Sequence, residues 1–383
     1  MIYFILLIEL IAFVLFYDIA KAKRGRQLAF LVSFLSLFLL SALKYRVGTD
    51  IIAYADEYSN EVLPLWKVDF EYIFLSFNRQ PGWQLLTSLC RSITPSFLLV
   101  QIIVSAFVNW TIFSFLRKYC PLPFLGILLY YVLCYIQFNF EVLRQSISVA
   151  FLLIGMKYYF NEKWGKFLLC VLGGVAFHMS SLVLLLFPLI KKCDRVVFLK
   201  KKWVHLLLAV VIVVSLKYLI GYFPTLLARI SGLDGQASIA AIYGKEELFD
   251  NITFSYFGNI KMFIVNYIIV FLLVKKKDMW YSSFALLYMY IAMVALAFPI
   301  AHRFMYYFIP FYIVGLTTTI AYCRIDRKLA LLFFAVLFTY TTYERYTNDW
   351  EGIPNYRMYY PYHSYFDMTK DQERENRAYK LLY

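Results

Sequence analysis

The sequence predicts an all-α, polytopic transmembrane protein of about 10–11 spans, because apolar runs near the length of a bilayer-crossing helix recur from end to end. Two further observations agree. Of the 383 residues, 62% are hydrophobic and only 16% charged, well short of the charged share of a soluble domain. The basic residues fall in short clusters between the apolar runs, the pattern that marks cytoplasmic loops. The formal charge of +14 is thus read as topology and not as a nucleic-acid surface, for which the sequence holds no recognition motif.

The first run, MIYFILLIELIAFVLFYD, has neither a basic start nor a small-residue cleavage site and is expected to be a retained helix, at about 2–17, with a second at 27–43. The clusters KAKRGR (21–26), RK (117–118), NEKWGK (161–166), KKCDRVVFLKKK (191–202), KKK (275–277) and CRIDRK (323–328) belong on one face, the cytoplasmic one. Segment 44–95 then lies outside. Its pieces FEYIFLSF and GWQLLTSLC are too short to span and are expected as short interfacial helices. Further spans fit at about 96–116, 122–138, 146–160, 203–222, 258–274, 279–299, 303–322 and 328–343. These give a transmembrane domain of 1–343 with a second outer loop at 223–257, followed by an extracytoplasmic tail, 344–383.

One stretch resists a single crossing. WGKFLLCVLGGVAFHMSSLVLLLFPLIKK carries basic residues at both ends, which one span would place on opposite faces. Breaking it at GGVAFH gives a re-entrant hairpin of two half-length helices with His178 near the turn. Such backbone is tolerated at membrane depth only inside protein or beside a wet cavity.

This topology leaves a short set of outward charges. Arginine on that face runs against the positive-inside bias and needs a carboxylate or an anionic ligand to compensate it. A guanidinium that never loses its charge matches phosphate oxygens two at a time. Arg144, in NFEVLRQSIS, and Arg303, in FPIAHRFMYYF, each open a helix after a very short connection, and Arg46 follows the second span. Convergence of the three would make a pyrophosphate clamp; the competing reading has them snorkel or pair with Glu141 and other local carboxylates. Asp50, after the turn-forming Gly48, is either a general base or sugar-hydroxyl acceptor, or else a helix cap or partner of Arg46. Asp56 and Glu57 are expected on a solvated helix face. His178 is either a satisfied structural residue or a base or donor near neutral pH. The aromatic tail YTNDWEGIPNYRMYYPYHSYF suggests an interfacial belt, and a polar helix or frayed end follows from Thr369.

Six cysteines show no CxxC pair, and no metal-ligand spacing, Walker, GxSxG or HExxH pattern stands out. Neither metal nor cofactor is expected. No convincing repeat relates the two halves, which argues against a transporter or flippase.

Taken in order, YRVGTDIIAY, EVLRQSIS, FLLCVLGGVAFHMSSLVLLL, HRFMYYF and DWEGIPNYRMYYPYHSYF resemble the EpsG-like branch of the Wzy-type polysaccharide polymerases. The resemblance implies a GT-C-like, multi-pass glycosyltransferase of the bacterial inner membrane with its active site facing the periplasm or outside. Its donor and acceptor would be undecaprenyl-pyrophosphate-linked glycans in O-antigen, capsule or exopolysaccharide synthesis, with a chain-length regulator as a partner. On the family's motifs Arg46, Asp50 and Tyr54 occupy the first, Arg144 and Gln145 the second, His178 the third and Arg303 the fourth. The resulting expectation is Arg46, Arg144, Arg303, Gln145 and Tyr54 on substrate, with Asp50 or His178 as base. The alternative activities are an O-antigen ligase or another polyprenyl-linked transferase.

Overall fold

The computed structural model describes residues 2–74, 79–193, 203–216, 256–272, 280–295, 301–323, 347, 349–350 and 353–382. The expected span at 328–343 and nearly all of the loop at 223–257 lie outside these residues. Among the described residues, the helices are joined by turns and irregular segments, with one two-residue ladder, Asp349–Trp350 against Ile353–Pro354, and one isolated bridge, Lys44 to Ser364. Among the described residues, three helices are long and apolar enough to cross a membrane, Ile2–Ile19, Leu98–Tyr119 and His302–Ala321, and six shorter apolar ones accompany them. The chain is a polytopic helical membrane protein.

It divides into two compact units, Met1–Leu184 with Ile325–Tyr383, and Leu185–Arg324. In the first, α1 (Ile2–Phe13) continues through a π-helical turn to Ile19, and α2 (Arg26–Ala42) follows a tight basic turn. Segment 44–95 supplies α3 (Thr49–Asn60), the short α4 (Phe70–Phe74) and α5 (Pro81–Ile93), the last begun by a proline whose missing N–H costs nothing in a first turn. Then come α6 (Leu98–Tyr119), α7 (Pro123–Tyr130, carried on by π-helical turns to Glu141), α8 (Leu143–Phe160) and α9 (Trp164–Val175).

Helices α2 and α6 run in opposite directions. Gln101 Nε2, at the start of α6, donates to the Lys44 carbonyl at 2.9 Å, while Arg117, at its end, lies over the Phe30 ring at 5.3 Å. The basic turns therefore collect at one end of the unit, and Arg46 and Arg144 belong to the other. Between the ends, a buried polar knot fixes α2, α6 and α7. Asn109 donates to Asn139 Oδ1 at 2.8 Å and to Ser41 Oγ at 3.3 Å, Tyr130 donates to Asn109 Oδ1 at 3.0 Å, and Asn139 donates back to the Tyr130 hydroxyl at 2.8 Å. Polar groups this deep are tolerated because each finds a partner, and together they fix where α7 ends.

The chain breaks where GGVAFH predicts. Helix α9 stops at Val175, Ala176–His178 form a turn, and a 3₁₀ helix, Met179–Leu186, follows. Ser181 comes back so far that a Cβ built on Gly174 would lie 3.3 Å from it, which a continuous helix forbids.

The second unit packs aromatic rings against one another. Phe284 stacks on Phe311 at 4.5 Å, Tyr288 on Tyr312 at 4.4 Å and Phe187 on Phe308 at 5.6 Å. These tie the helices Ser282–Ala295 and His302–Ala321 together, with Phe187–Cys193 against them. His302 and Arg303 open the second of those helices and are exposed at its first turn.

Candidate active site

The motif YRVGTD builds its own turn. Arg46 and Gly48 both have positive φ, 51° and 102°. The glycine is obligatory, because a Cβ there would meet the Phe140 carbonyl at 2.7 Å. The turn delivers the start of α3 to the end of α7, where the Glu141 carboxylate accepts from the backbone N–H groups of Thr49 at 3.1 Å and Asp50 at 2.9 Å and from the Tyr359 hydroxyl at 2.8 Å. Glu141 thus caps a helix to which it does not belong, and its charge faces the positive end of that helix's dipole. Burial, and then the neighbouring Asp50 charge, push its pKa up to about 7 against these hydrogen bonds. The adjacent Lys44 is wholly buried, and burial brings its ammonium down to about 7.

One turn after Asp50, Tyr54 stands at the centre of a cluster drawn from three elements. Arg144, in the first turn of α8, donates from Nε to the Tyr54 hydroxyl at 3.1 Å and from Nη1 to Gln80 Oε1 at 2.8 Å. Arg79 lies over the Tyr54 ring at 5.7 Å and forms a salt bridge of 2.5 Å with Glu57. Trp83 packs on Tyr54 with ring centres 5.1 Å apart. Burial raises the phenol above its ordinary value despite Arg144, so it stays neutral. The Asp50 carboxylate is close enough to act electrostatically on Tyr54, Arg79 and Glu141. Gln145, the next residue on α8, is buried.

The contrast among the arginines is in their partners. Arg79 is neutralised by Glu57. Arg144 is held by a phenol and a carboxamide, and no salt bridge to it is found among the described residues. Among the described residues its guanidinium is oriented by neutral groups.

His178 reaches this cluster through backbone. The Gly82 N–H, beside Gln80 at the head of α5, donates to the Ala176 carbonyl at 2.7 Å, and a Cβ on Gly82 would lie 2.6 Å from that oxygen. Ser148 Oγ on α8 donates to the Gly174 carbonyl at 2.7 Å. The His178 Nδ1 accepts from the Ser180 N–H at 3.2 Å, with Ser180 Oγ 2.6 Å away. With Nδ1 accepting, a neutral ring carries its proton on Nε2.

Arg46 is occupied differently from what the sequence suggests. Its Nε and Nη2 donate to the two oxygens of Glu375, its Nη1 to Asp56 Oδ1 at 2.6 Å, and Tyr379 adds a hydroxyl at 3.2 Å. Burial opposes the charge, but the two carboxylates outweigh it and hold the guanidinium firmly ionised. Asp56 and Glu57, expected on a solvated face, are instead the partners of Arg46 and Arg79. Arg46, enclosed between two carboxylates, is a structural clasp and not an open phosphate ligand. His302 and Arg303 belong to the second unit.

The clasp comes from the tail, whose tyrosines mostly serve the protein rather than an interfacial belt. Residues 43–45 pair with 363–365, Tyr45 N–H to the His363 carbonyl at 2.8 Å and Tyr365 N–H to the Leu43 carbonyl at 2.9 Å. The Gly48 N–H donates to the Met358 carbonyl at 3.0 Å. Tyr3 donates to the Tyr359 carbonyl at 3.0 Å and Tyr362 to that of Leu40 at 2.9 Å. A C-terminal helix, Gln372–Leu382, then closes over α3, burying Ala378 with Ile52 and Met358. The first and last motifs of the resemblance form one structural unit. The sequence shows no direct sign of Glu375 as the Arg46 partner, whereas NRQPGW, an arginine and glutamine just before a proline-led helix, is a signal that could have found Arg79 and Gln80.

No group of three or more metal-ligating side chains occurs among the described residues. The model of the EpsG family matches residues 27–364. No curated protein and no solved structure gives a significant match.

Proposed function

Because the chain belongs to the EpsG family, whose members are associated with membrane polysaccharide polymerisation, we propose that it lengthens a glycan by transfer from an undecaprenyl-pyrophosphate donor to a lipid-linked acceptor at the outer face of the inner membrane. The observation that supports this reading is Arg144, a guanidinium held in place by the neutral Tyr54 and Gln80. Such a group stabilises charge that grows on a departing phosphate, and it does so best when already oriented in a poorly hydrated place.

In the reaction an acceptor hydroxyl forms a bond to the anomeric carbon of the donor, the bond from that carbon to the phosphate oxygen breaks, and the electron pair leaves with the lipid pyrophosphate. Arg144 meets the leaving phosphate. Asp50, in the first turn of α3, takes the hydroxyl proton, and His178 supplies a hydrogen bond to phosphate or sugar through Nε2–H. Tyr54 orients Arg144, and Gln145 lies beside it on α8. The Arg46 cluster holds α3 in register and acts through it. Arg303 remains a candidate on its place in the first turn of its helix and on the family resemblance.

The test is deletion of the gene with complementation. Loss of polymerisation leaves single repeat units on the surface lipid, which wild-type protein restores to a ladder and Arg144→Ala does not. A ladder unchanged by deletion refutes the proposal. Full-length polymer retained on its lipid carrier identifies a ligase instead.

A further inference from the structure

Beside the cluster, on the far side of Arg79, lies a cleft between the end of α3, the Tyr72 region and α5. It encloses about 80 Å³, and its wall includes Glu57, Glu61, Tyr72, Arg79, Gln84 and Thr87. One water needs roughly 10–15 Å³ of such space, so the cleft admits a group several times larger. Its charge decides what kind. Two carboxylates face one guanidinium, already paired with Glu57, so an anion is disfavoured and the pyrophosphate belongs with Arg144 instead. The rest of the wall is polar, with Glu61, Gln84, Thr87 and Tyr72, whose hydroxyl accepts from the Leu63 N–H at 3.3 Å and donates to the Glu61 carbonyl at 3.5 Å, beside the apolar edge of Val62.

Helix α5 is turned to suit. Leu85, Leu89 and Ile93, one turn apart, are 48%, 44% and 70% exposed, whereas Gln84 and Thr87 are buried. A helix that shows its apolar stripe outward and its polar face inward is built for a hydrocarbon surround and a polar interior. Thr87 Oγ1 spends its proton on the carbonyls of Trp83 and Gln84, at 3.0 and 3.1 Å, and so offers the cleft an acceptor.

We propose that this cleft is a subsite for one non-acidic sugar ring of the lipid-linked glycan, placed next to the reacting groups by Arg79, which contacts both Glu57 and Tyr54. The inference rests on the polymerase reading and adds a specificity: the sugar seated there carries hydroxyl or amino groups and no carboxylate.

The experiment uses the full chain in lipid nanodiscs and two probes, undecaprenyl pyrophosphate carrying the repeat unit isolated from the gene-deletion strain, and undecaprenyl pyrophosphate with no glycan. Glu61→Ala and Gln84→Ala are expected to weaken binding of the first by about tenfold, the loss of roughly one hydrogen bond to a charged or buried group, and to leave the second within about twofold. Glu61 is exposed at the end of its helix, so its variant tests the subsite even if the buried Gln84 variant folds poorly. Unchanged binding of both probes, or equal loss of both, in Glu61→Ala overturns the subsite. Arg144→Ala is expected to weaken both probes; if it weakens neither, the polymerase reading fails while the subsite is judged on the Glu61 result.

Discussion

Removing Glu375 should release the C-terminal helix from α3. Its carboxylate side chain is 7% exposed and Arg46 is 9% exposed, so truncation leaves a guanidinium largely out of water with one of its two partners gone. Stranding a buried charge costs about 3–5 kcal/mol. Asp56, one-third exposed, still holds one edge of Arg46, which brings the expected cost of Glu375→Ala to about 2–3 kcal/mol. At 1.4 kcal/mol per decade, the ratio of docked to undocked tail falls roughly 30- to 150-fold. Limited proteolysis reads this directly, since cleavage near the exposed Phe366 and Met368 follows the undocked population when opening is fast. Glu373, exposed on the same helix, supplies the control; its alanine variant should stay within about 0.5 kcal/mol of wild type. Equal cleavage rates for the two variants would refute the reasoning. The pH dependence has a definite sign. The Asp56 pKa sits below its ordinary 3.8, held down by the Arg46 and Tyr379 hydrogen bonds against burial, so its share of the docking free energy is present above that value and is lost as the pH falls through the lower folded one.

Arg144→Lys keeps a charge but loses the planar fork, and both it and Arg144→Ala should reduce polymer formation in a membrane assay, the alanine by about 10²- to 10³-fold. Glu141→Gln should flatten the pH dependence of thermal stability. The folded chain holds the Glu141 proton more tightly than the unfolded one, so that stabilisation is complete below about 4.5 and fades as the pH rises through about 7. Glu141→Ala, which removes the cap from α3 altogether, should cost about 1–2 kcal/mol in the same melt. Gly48→Ala should destabilise by more than about 1 kcal/mol, since it combines a disfavoured φ with the 2.7 Å approach to the Phe140 carbonyl.

Much of the helical layout was legible because a bilayer imposes one length on every crossing. The second span was expected at 27–43 and runs over Arg26–Ala42; the penultimate one was expected at 303–322 and runs over His302–Ala321. The break before His178 was legible from charge at both ends of one apolar run. Arg144, Asp50 and Tyr54 were legible as a motif. What escaped the sequence were pairings across great chain distance. Nothing local says that Glu141 caps α3 rather than pairing with Arg144 three residues on, or that Arg46 takes Glu375. Asp56 and Glu57, adjacent and acidic, looked like a solvated face because their arginine partners come from elements that only the fold brings near.

The clasp on Arg46 also orders events in time. The segment from Lys44 to Gly48 leaves the ribosome early, yet the carboxylate that closes on it lies 329 residues later. Until Gln372–Leu382 emerges, Arg46 lacks its Glu375 and Tyr379 partners, although Glu141 and Met358 already hold the start of α3. A nascent or clipped chain ending before that helix would lack this lock on the segment from Lys44 to Asn60.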